Sequence, residues 1–83
     1  MSSKLNRLES ARQNPKGWTG EELGALLRAF GFIERGTKHA LYISPRDAAL
    51  RMTVTRSSGE ISKLYVRQAV QLIDATLALD TSP

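Results

Sequence analysis

The sequence predicts a two-layer α+β domain in which a three-stranded antiparallel sheet carries helices on one face. Apolar residues recur at helical spacing before Gly31 and after Ser62, and they alternate with polar residues between those points. The chain has 83 residues, of which 41% are hydrophobic, and this is material for one core. Residues 1–83 are therefore expected to form a single domain, with its core over about 12–79.

A short helix is predicted at the N-terminus, over about 4–14. Apolar side chains recur there at helical spacing, at Leu5, Leu8 and Ala11. The pattern ends at Asn14-Pro15.

The second predicted helix covers residues 20–30. Thr19 is followed three residues later by Glu22, the capping-box spacing in which each side chain satisfies an amide of the first turn. An apolar stripe at helical spacing follows, comprising Leu23, Leu26, Leu27 and Phe30. Gly31 can adopt the left-handed conformation that closes a helix. Trp18 either packs back on this helix as part of a hydrophobic staple or lies at the surface to contact a base.

Three short strands are predicted where the period changes to alternation, over residues 32–35, 39–44 and 50–56. Gly36-Thr37-Lys38 is short enough for a hairpin turn, and residues 44–47 supply turn residues for a longer second connection. Pairing in chain order gives an antiparallel meander, which Ser57-Ser58-Gly59 then ends.

A long helix over about 62–79 is predicted to cover one face of the sheet. Its apolar stripe comprises Leu64, Val66, Ala69, Val70, Ile73 and Leu77. Residues 80–83 are expected to form a frayed tail. With the helices on one face, the other face of the sheet is left open for a partner.

The charge balance favours an anionic partner. Twelve Lys and Arg residues against eight Asp and Glu residues give a net charge of +4 and a pI of about 10.0. Nucleic acid fits this charge, and so does an acidic protein.

The composition also excludes several kinds of site. The chain has no Cys and one His, which excludes disulfides and an ordinary zinc site, so no metal or cofactor is expected. No stretch approaches the roughly 20 apolar residues of a membrane span. Met1-Ser2-Ser3-Lys4 does not begin a signal peptide, so we expect a cytoplasmic protein with no membrane partner.

The single histidine, His39, begins the second predicted strand, in the run Arg35-Gly36-Thr37-Lys38-His39. Imidazole is the side chain whose ordinary pKa lets it both give and take a proton near neutrality. Nearby cations would hold a phosphate, so this run is where an RNA-cleaving or RNA-binding domain would keep its chemistry. A partly exposed surface histidine at a strand end is the alternative interpretation.

Several segments together resemble the HicA toxin family, over about residues 12–75. The segments are Asn14-Pro15-Lys16-Gly17-Trp18, the helix from Glu22-Leu23 to Leu27, Phe30-Gly31-Phe32, His39 with Pro45 six residues on, and Tyr65-Val66-Arg67-Gln68-Ala69-Val70-Gln71-Leu72-Ile73. Phe-Gly-Phe and Tyr-Val-Arg-Gln at this separation are moderately specific together and weak singly.

The resemblance implies a double-stranded-RNA-binding-domain-like fold and the activity of an mRNA interferase. Such a protein is a metal-independent endoribonuclease that cleaves mRNA and is neutralised by a HicB-like antitoxin. By its spacing to Pro45, His39 falls on the catalytic histidine of the family. The family usually has Gly-Ser before this histidine, whereas this chain has Thr37-Lys38, and Thr55-Arg56-Ser57 stands where the family often has Pro and His.

The expected site residues are His39 as general acid or base, and Lys38, Arg35 and Arg56 as phosphate contacts. Arg67 carries the family pattern, and it either contacts RNA or pairs with an acid such as Asp74 or Glu60.

Tyr42 and Tyr65 are expected in the core or at its rim, with a role as base-stacking platforms as the alternative. A non-catalytic RNA-binding module of the double-stranded-RNA-binding-like fold is the main alternative function. A small protein-interaction domain is the other.

Overall fold

The computed structural model describes residues 3–55 and 58–81. In chain order the elements are α1 (Ser3–Gln13), α2 (Gly20–Ala29), β1 (Ile33–Arg35), β2 (His39–Ile43), β3 (Arg51–Thr55) and α3 (Lys63–Thr81). The predicted α+β class, with a three-stranded antiparallel sheet, is confirmed. Arg56, which ends the third predicted strand, lies outside the described residues.

The start and end of α2 follow the local signals in the sequence. Thr19 Oγ1 accepts a hydrogen bond from the Glu22 amide at 3.1 Å, and Glu22 Oε1 accepts one from the Thr19 amide at 2.9 Å. This is the predicted capping box, which satisfies two amides of the helix terminus. After the last turn, Gly31 has a φ of +87°, a conformation that glycine adopts without steric cost.

The sheet is a meander with the strand order β1-β2-β3. In its register Tyr42 lies between Glu34 of β1 and Met52 of β3, and Ala40 lies opposite Val54. The residues of this set that belong to β2 and β3 are buried and face α2 and α3; they are Ala40, Tyr42, Met52 and Val54. Because side chains alternate across a strand, the residues between them form the opposite face.

The core lies between this inner face and the helices. Buried side chains come from α2 at Leu23, Leu26 and Leu27, from α3 at Val66, Ala69, Val70 and Ile73, and from α1 at Leu8 and Ala11. Trp18 is partly buried against the same core, so it packs as one of its two interpretations predicts, and contact with a base is not tested by this packing.

Two leucines of the predicted helical stripes are not buried. Leu64 is 66% exposed, because it lies two residues from Val66 and therefore on nearly the opposite side of α3. Leu5 is 50% exposed, in the turn that precedes the buried pair Leu8 and Ala11.

The end of α3 also differs from the prediction. Asp80 and Thr81 belong to the helix rather than to a frayed tail, and the rest of the predicted tail, residues 82–83, lies outside the described residues. Asp80 forms an ion pair with Arg46 of the connection between β2 and β3, and this contact holds the last turn.

The loop after β3 is tied to the start of α2. Thr19 and Glu60 form an isolated antiparallel bridge, and the Ile61 amide donates to the Trp18 carbonyl at 2.8 Å. The starts of α2 and α3 therefore lie at the same end of the molecule as the β1–β2 hairpin and the end of β3. We call this the hairpin end; Phe30 and Arg46 lie toward the other end.

Candidate nucleic-acid interface on the open sheet face

The sheet presents one uncovered face, which we call the open face. The register places its side chains in three rows across the strands: Ile33, Ile43 and Arg51; Arg35, Leu41 and Thr53; and His39 with Thr55. Leu41 and Ile43 are half-buried and the other six are exposed. The open face thus has an apolar centre with polar and cationic groups around it.

His39 lies at the hairpin end of the open face, as the first residue of β2. Its Nδ1 is 3.3 Å from the hydroxyl oxygen of Thr55, its partner on β3. The turn before it requires glycine, since Gly36 has a φ of +89° and a β-carbon there would lie 2.9 Å from the His39 carbonyl oxygen. The hairpin and the cross-strand threonine together fix the position of the imidazole.

Two of the expected phosphate contacts lie close to His39. Arg35 pairs with Leu41, two residues along β2 from His39, so Arg35 and His39 are diagonal neighbours on the open face. Such neighbours lie about 7–8 Å apart, within reach of an arginine side chain. Lys38 is exposed in the turn immediately before His39.

No carboxylate lies among the described side chains of the open face. Arg51 adds a cation at the end away from His39, where its Nε donates to the Ala48 carbonyl at 2.7 Å. The alternation in β3 assigns Arg51, Thr53 and Thr55 to one face. The pairing of β3 with β2, which brings Thr55 opposite His39, follows only from the strand order, so these residues were not among the expected site residues.

Arg67 is not part of this group. It lies on α3 and lines a small cleft against α1, with Ala11 and Arg12 among its neighbours. The open face is on the other side of the sheet from the helices, so the structure does not bring Arg67 to His39. Arg56 lies outside the described residues, and its prediction as a phosphate contact stays a prediction.

Pairing with Asp74, one of the alternatives for Arg67, is not what the structure shows, because Arg12 binds that carboxylate. Its two terminal nitrogens donate to the two oxygens of Asp74 at 2.7 and 2.8 Å. These hydrogen bonds, followed by the charge attraction, hold the pKa of Asp74 below its ordinary value. Among the described residues, Arg67 forms no ion pair with Glu60 either.

A hydrogen-bonded group supports the open face from below. Tyr42 is fully buried, and its hydroxyl donates to Glu34 Oε2 at 2.5 Å. Arg28 of α2 donates to the same oxygen at 2.7 Å. The contacts join β1, β2 and α2, which makes the sheet under His39 and Arg35 a rigid support. The core expectation is confirmed for Tyr42, whereas Tyr65 is 46% exposed on α3 and is not a core residue.

Comparisons with protein-family models, with curated proteins and with solved structures find no match to this chain. In the described part of the chain, no three His, Cys, Asp or Glu residues are grouped so that they would hold a metal ion. None of the described helices is both long and apolar enough to cross a membrane.

Proposed function

We propose that this chain is an endoribonuclease of the HicA toxin type, which cleaves mRNA with His39 as general acid or base. The observation that carries the proposal is the position of His39 beside Arg35 and Lys38 on an exposed sheet face whose described side chains include no carboxylate. The resemblance of residues 12–75 to the HicA family supports the same activity. The proposal includes a cytoplasmic location and a HicB-like antitoxin as partner.

The chemistry is transfer of the phosphodiester to the neighbouring 2′-hydroxyl. The 2′-oxygen loses its proton and attacks phosphorus, and the bond to the 5′-oxygen breaks as that oxygen takes up a proton. His39 fills one of these two proton roles, and water or the substrate fills the other. Because Nδ1 contacts Thr55, Nε2 is the nitrogen that acts on the phosphodiester.

The cations stabilise the negative charge that grows on the phosphoryl oxygens. Arg35 reaches the phosphate from the neighbouring strand, and Lys38 reaches it from the turn. Groups that are already oriented toward developing charge give the largest electrostatic contribution to catalysis. The absence of a carboxylate from the described open face avoids repulsion of the RNA backbone.

The test is cleavage of single-stranded RNA by the purified protein in EDTA. We expect His39→Ala to lower the cleavage rate by about 100-fold or more, the usual contribution of a general acid or base. Its melting temperature should stay close to that of the wild type, because His39 is exposed. Arg46→Gln, at the other end of the sheet, is the control for a general change in charge and should cleave normally. A His39→Ala protein that cuts at the wild-type rate would overturn the assignment.

One observation favours RNA binding without cleavage as a second function. In the described open face, His39 is the only imidazole and no carboxylate lies beside it, so one side chain suited to acid–base chemistry is present, while two proton transfers are needed. Under this alternative the wild-type protein shifts RNA in a gel and leaves it intact. Binding would then weaken in Arg35→Gln and remain in His39→Ala.

A further inference from the structure

A second surface at the hairpin end has the chemistry of a binding site. An open cleft of about 340 Å³ lies between α1 and the start of α2, and its walls include Arg7, Ser10, Asn14, Lys16, Trp18 and Glu22. Sites for small molecules begin at roughly this volume, about 300 Å³. None of these residues belongs to the open face.

The cleft favours an anion. Arg7 and Lys16 both line it, and neither forms an ion pair with another described residue. The one carboxylate in the wall, Glu22, accepts the Thr19 amide in the capping box. The wall thus carries two cations against one carboxylate, and a phosphate is the group that this excess of positive charge would hold.

The same cleft offers an aromatic ring. Trp18 is half-buried against the core, and its Nε1 donates to the Asn14 carbonyl at 3.0 Å, which fixes the orientation of the indole. Trp18 also lines the cleft. A fixed indole is a stacking surface for a nucleobase, and stacking accepts any base.

The cleft lies at the same end of the molecule as His39. Trp18 and Thr19 pair with Ile61 and Glu60, in the loop that follows the strand ending at Thr55. Thr55 is the residue that contacts His39. The cleft therefore lies on the helix side of the same end of the molecule at which His39 lies on the open face.

We propose that the cleft binds one nucleotide unit, with its base on Trp18 and its phosphate on Arg7 and Lys16. The nucleotide is either part of the RNA strand or a free mononucleotide. The first case rests on the proposed ribonuclease function and makes the cleft a second contact for the substrate. The second case does not depend on that function.

Trp18 is the only tryptophan of the chain, so the intrinsic tryptophan emission reports on this cleft alone. Adenosine 5′-monophosphate is titrated into the wild-type protein, and a single-stranded RNA into His39→Ala, both in EDTA. We expect saturable quenching of the emission. Fluorescence anisotropy of the labelled RNA measures total binding in parallel.

The decisive variant is Arg7→Gln combined with Lys16→Gln. It should weaken binding of the quenching ligand by at least about tenfold, because two contacts to the phosphate are removed and the loss of one charge-assisted hydrogen bond already has that effect. Lys4→Gln combined with Arg46→Gln removes the same charge at the other end of the molecule and should bind like the parent protein. Circular dichroism confirms that both double variants are folded.

The outcomes separate the two proposals. If RNA alone quenches the emission, and the quenching is lost in the Arg7 and Lys16 variant, the bound nucleotide is part of the RNA strand. If the mononucleotide alone quenches it, the bound nucleotide is a free ligand. That second result supports the cleft even if RNA does not bind. RNA binding by anisotropy with a silent Trp18 overturns the cleft and leaves the ribonuclease proposal intact. Equal weakening in both double variants would also overturn the cleft, because it would reflect net charge only.

Discussion

Gly24, in the middle of α2, is the place where one added methyl group tests the packing of this helix on the sheet. A β-carbon at Gly24 would overlap the hydroxyl oxygen of Tyr42 and lie 3.1 Å from its Cζ. Tyr42 is fully buried, and its hydroxyl is held by Glu34 at 2.5 Å. The ring therefore cannot move away without breaking that hydrogen bond.

The expected effect of Gly24→Ala is the balance of two terms. Alanine gains about 1 kcal/mol over glycine in a helix interior. Overpacking of a well-filled site costs about 1–3 kcal/mol. We expect a net loss of about 1 kcal/mol, which lowers the melting temperature of a domain of this size by about 4–8 °C.

The same substitution should behave differently when the hydroxyl is removed. Tyr42→Phe alone should cost about 1.5–3 kcal/mol, because it removes a hydrogen bond to a charged group. In the Tyr42→Phe background the methyl group added by Gly24→Ala no longer meets the hydroxyl oxygen. Most of the stability that alanine gains over glycine in a helix is then recovered. The double-mutant cycle should give a coupling free energy of about 1–2 kcal/mol.

The assay is urea unfolding of the wild type, the two single variants and the double variant, followed by circular dichroism. The free energies of unfolding close the cycle. If Gly24→Ala raises the free energy of unfolding equally in both backgrounds, α2 does not approach Tyr42 as closely as the structure shows. Stability is the chosen readout because it does not depend on the proposed activity.

Three further results are expected. Asp74→Asn should cost about 1 kcal/mol at pH 7, the upper end for an exposed ion pair, because Arg12 binds both oxygens. The lowered pKa of Asp74 means that this stability is fully present above the unfolded pKa of about 3.9 and is lost as the pH falls through the lower folded pKa. Gly36→Ala should cost about 2 kcal/mol, from a left-handed backbone and a crowded carbonyl. For RNA binding, Arg35→Gln and Lys38→Gln should each reduce the salt slope by about 0.7.

Each of these results has its own control. For Asp74→Asn, stability curves that run parallel to the wild type down to pH 2 would contradict the lowered pKa. Gly17→Ala is the match for Gly36→Ala, since Gly17 also has a positive φ, of +83°, but a β-carbon there meets nothing within 4 Å. An equal loss of stability in the two glycine variants would show that the crowded His39 carbonyl contributes nothing to the cost of Gly36→Ala. A salt slope unchanged in both cation variants would place RNA elsewhere on the protein.

Local signals in the sequence predicted most of the fold. The capping box at Thr19, the left-handed Gly31 and the alternation in β3 each depend on residues a few positions apart, and the structure has all three. The open face follows from the same alternation, so the neighbourhood of His39 and Arg35 was predictable once the meander order was assumed.

The pairings between distant elements were not predictable. Arg12 and Asp74 are 62 residues apart, and no local pattern distinguishes Arg12 from Arg67 as the partner of that carboxylate. The buried hydroxyl pair of Ser44 and Thr76, at 2.7 Å, depends in the same way on how α3 crosses the end of β2. Such contacts are set by the docking of helices on the sheet, which charge and hydropathy patterns do not specify.

The ion pair between Arg46 and Asp80 has a practical consequence for handling the protein. It holds the last turn of α3 at the end of the sheet away from the hairpin, while Lys4, in the first turn of α1, lies over the Phe30 ring near the same end. An affinity tag or a fluorophore attached before α1 or after α3 therefore emerges far from His39. Immobilisation through either position leaves both the open face and the Trp18 cleft accessible to RNA in a surface-binding experiment.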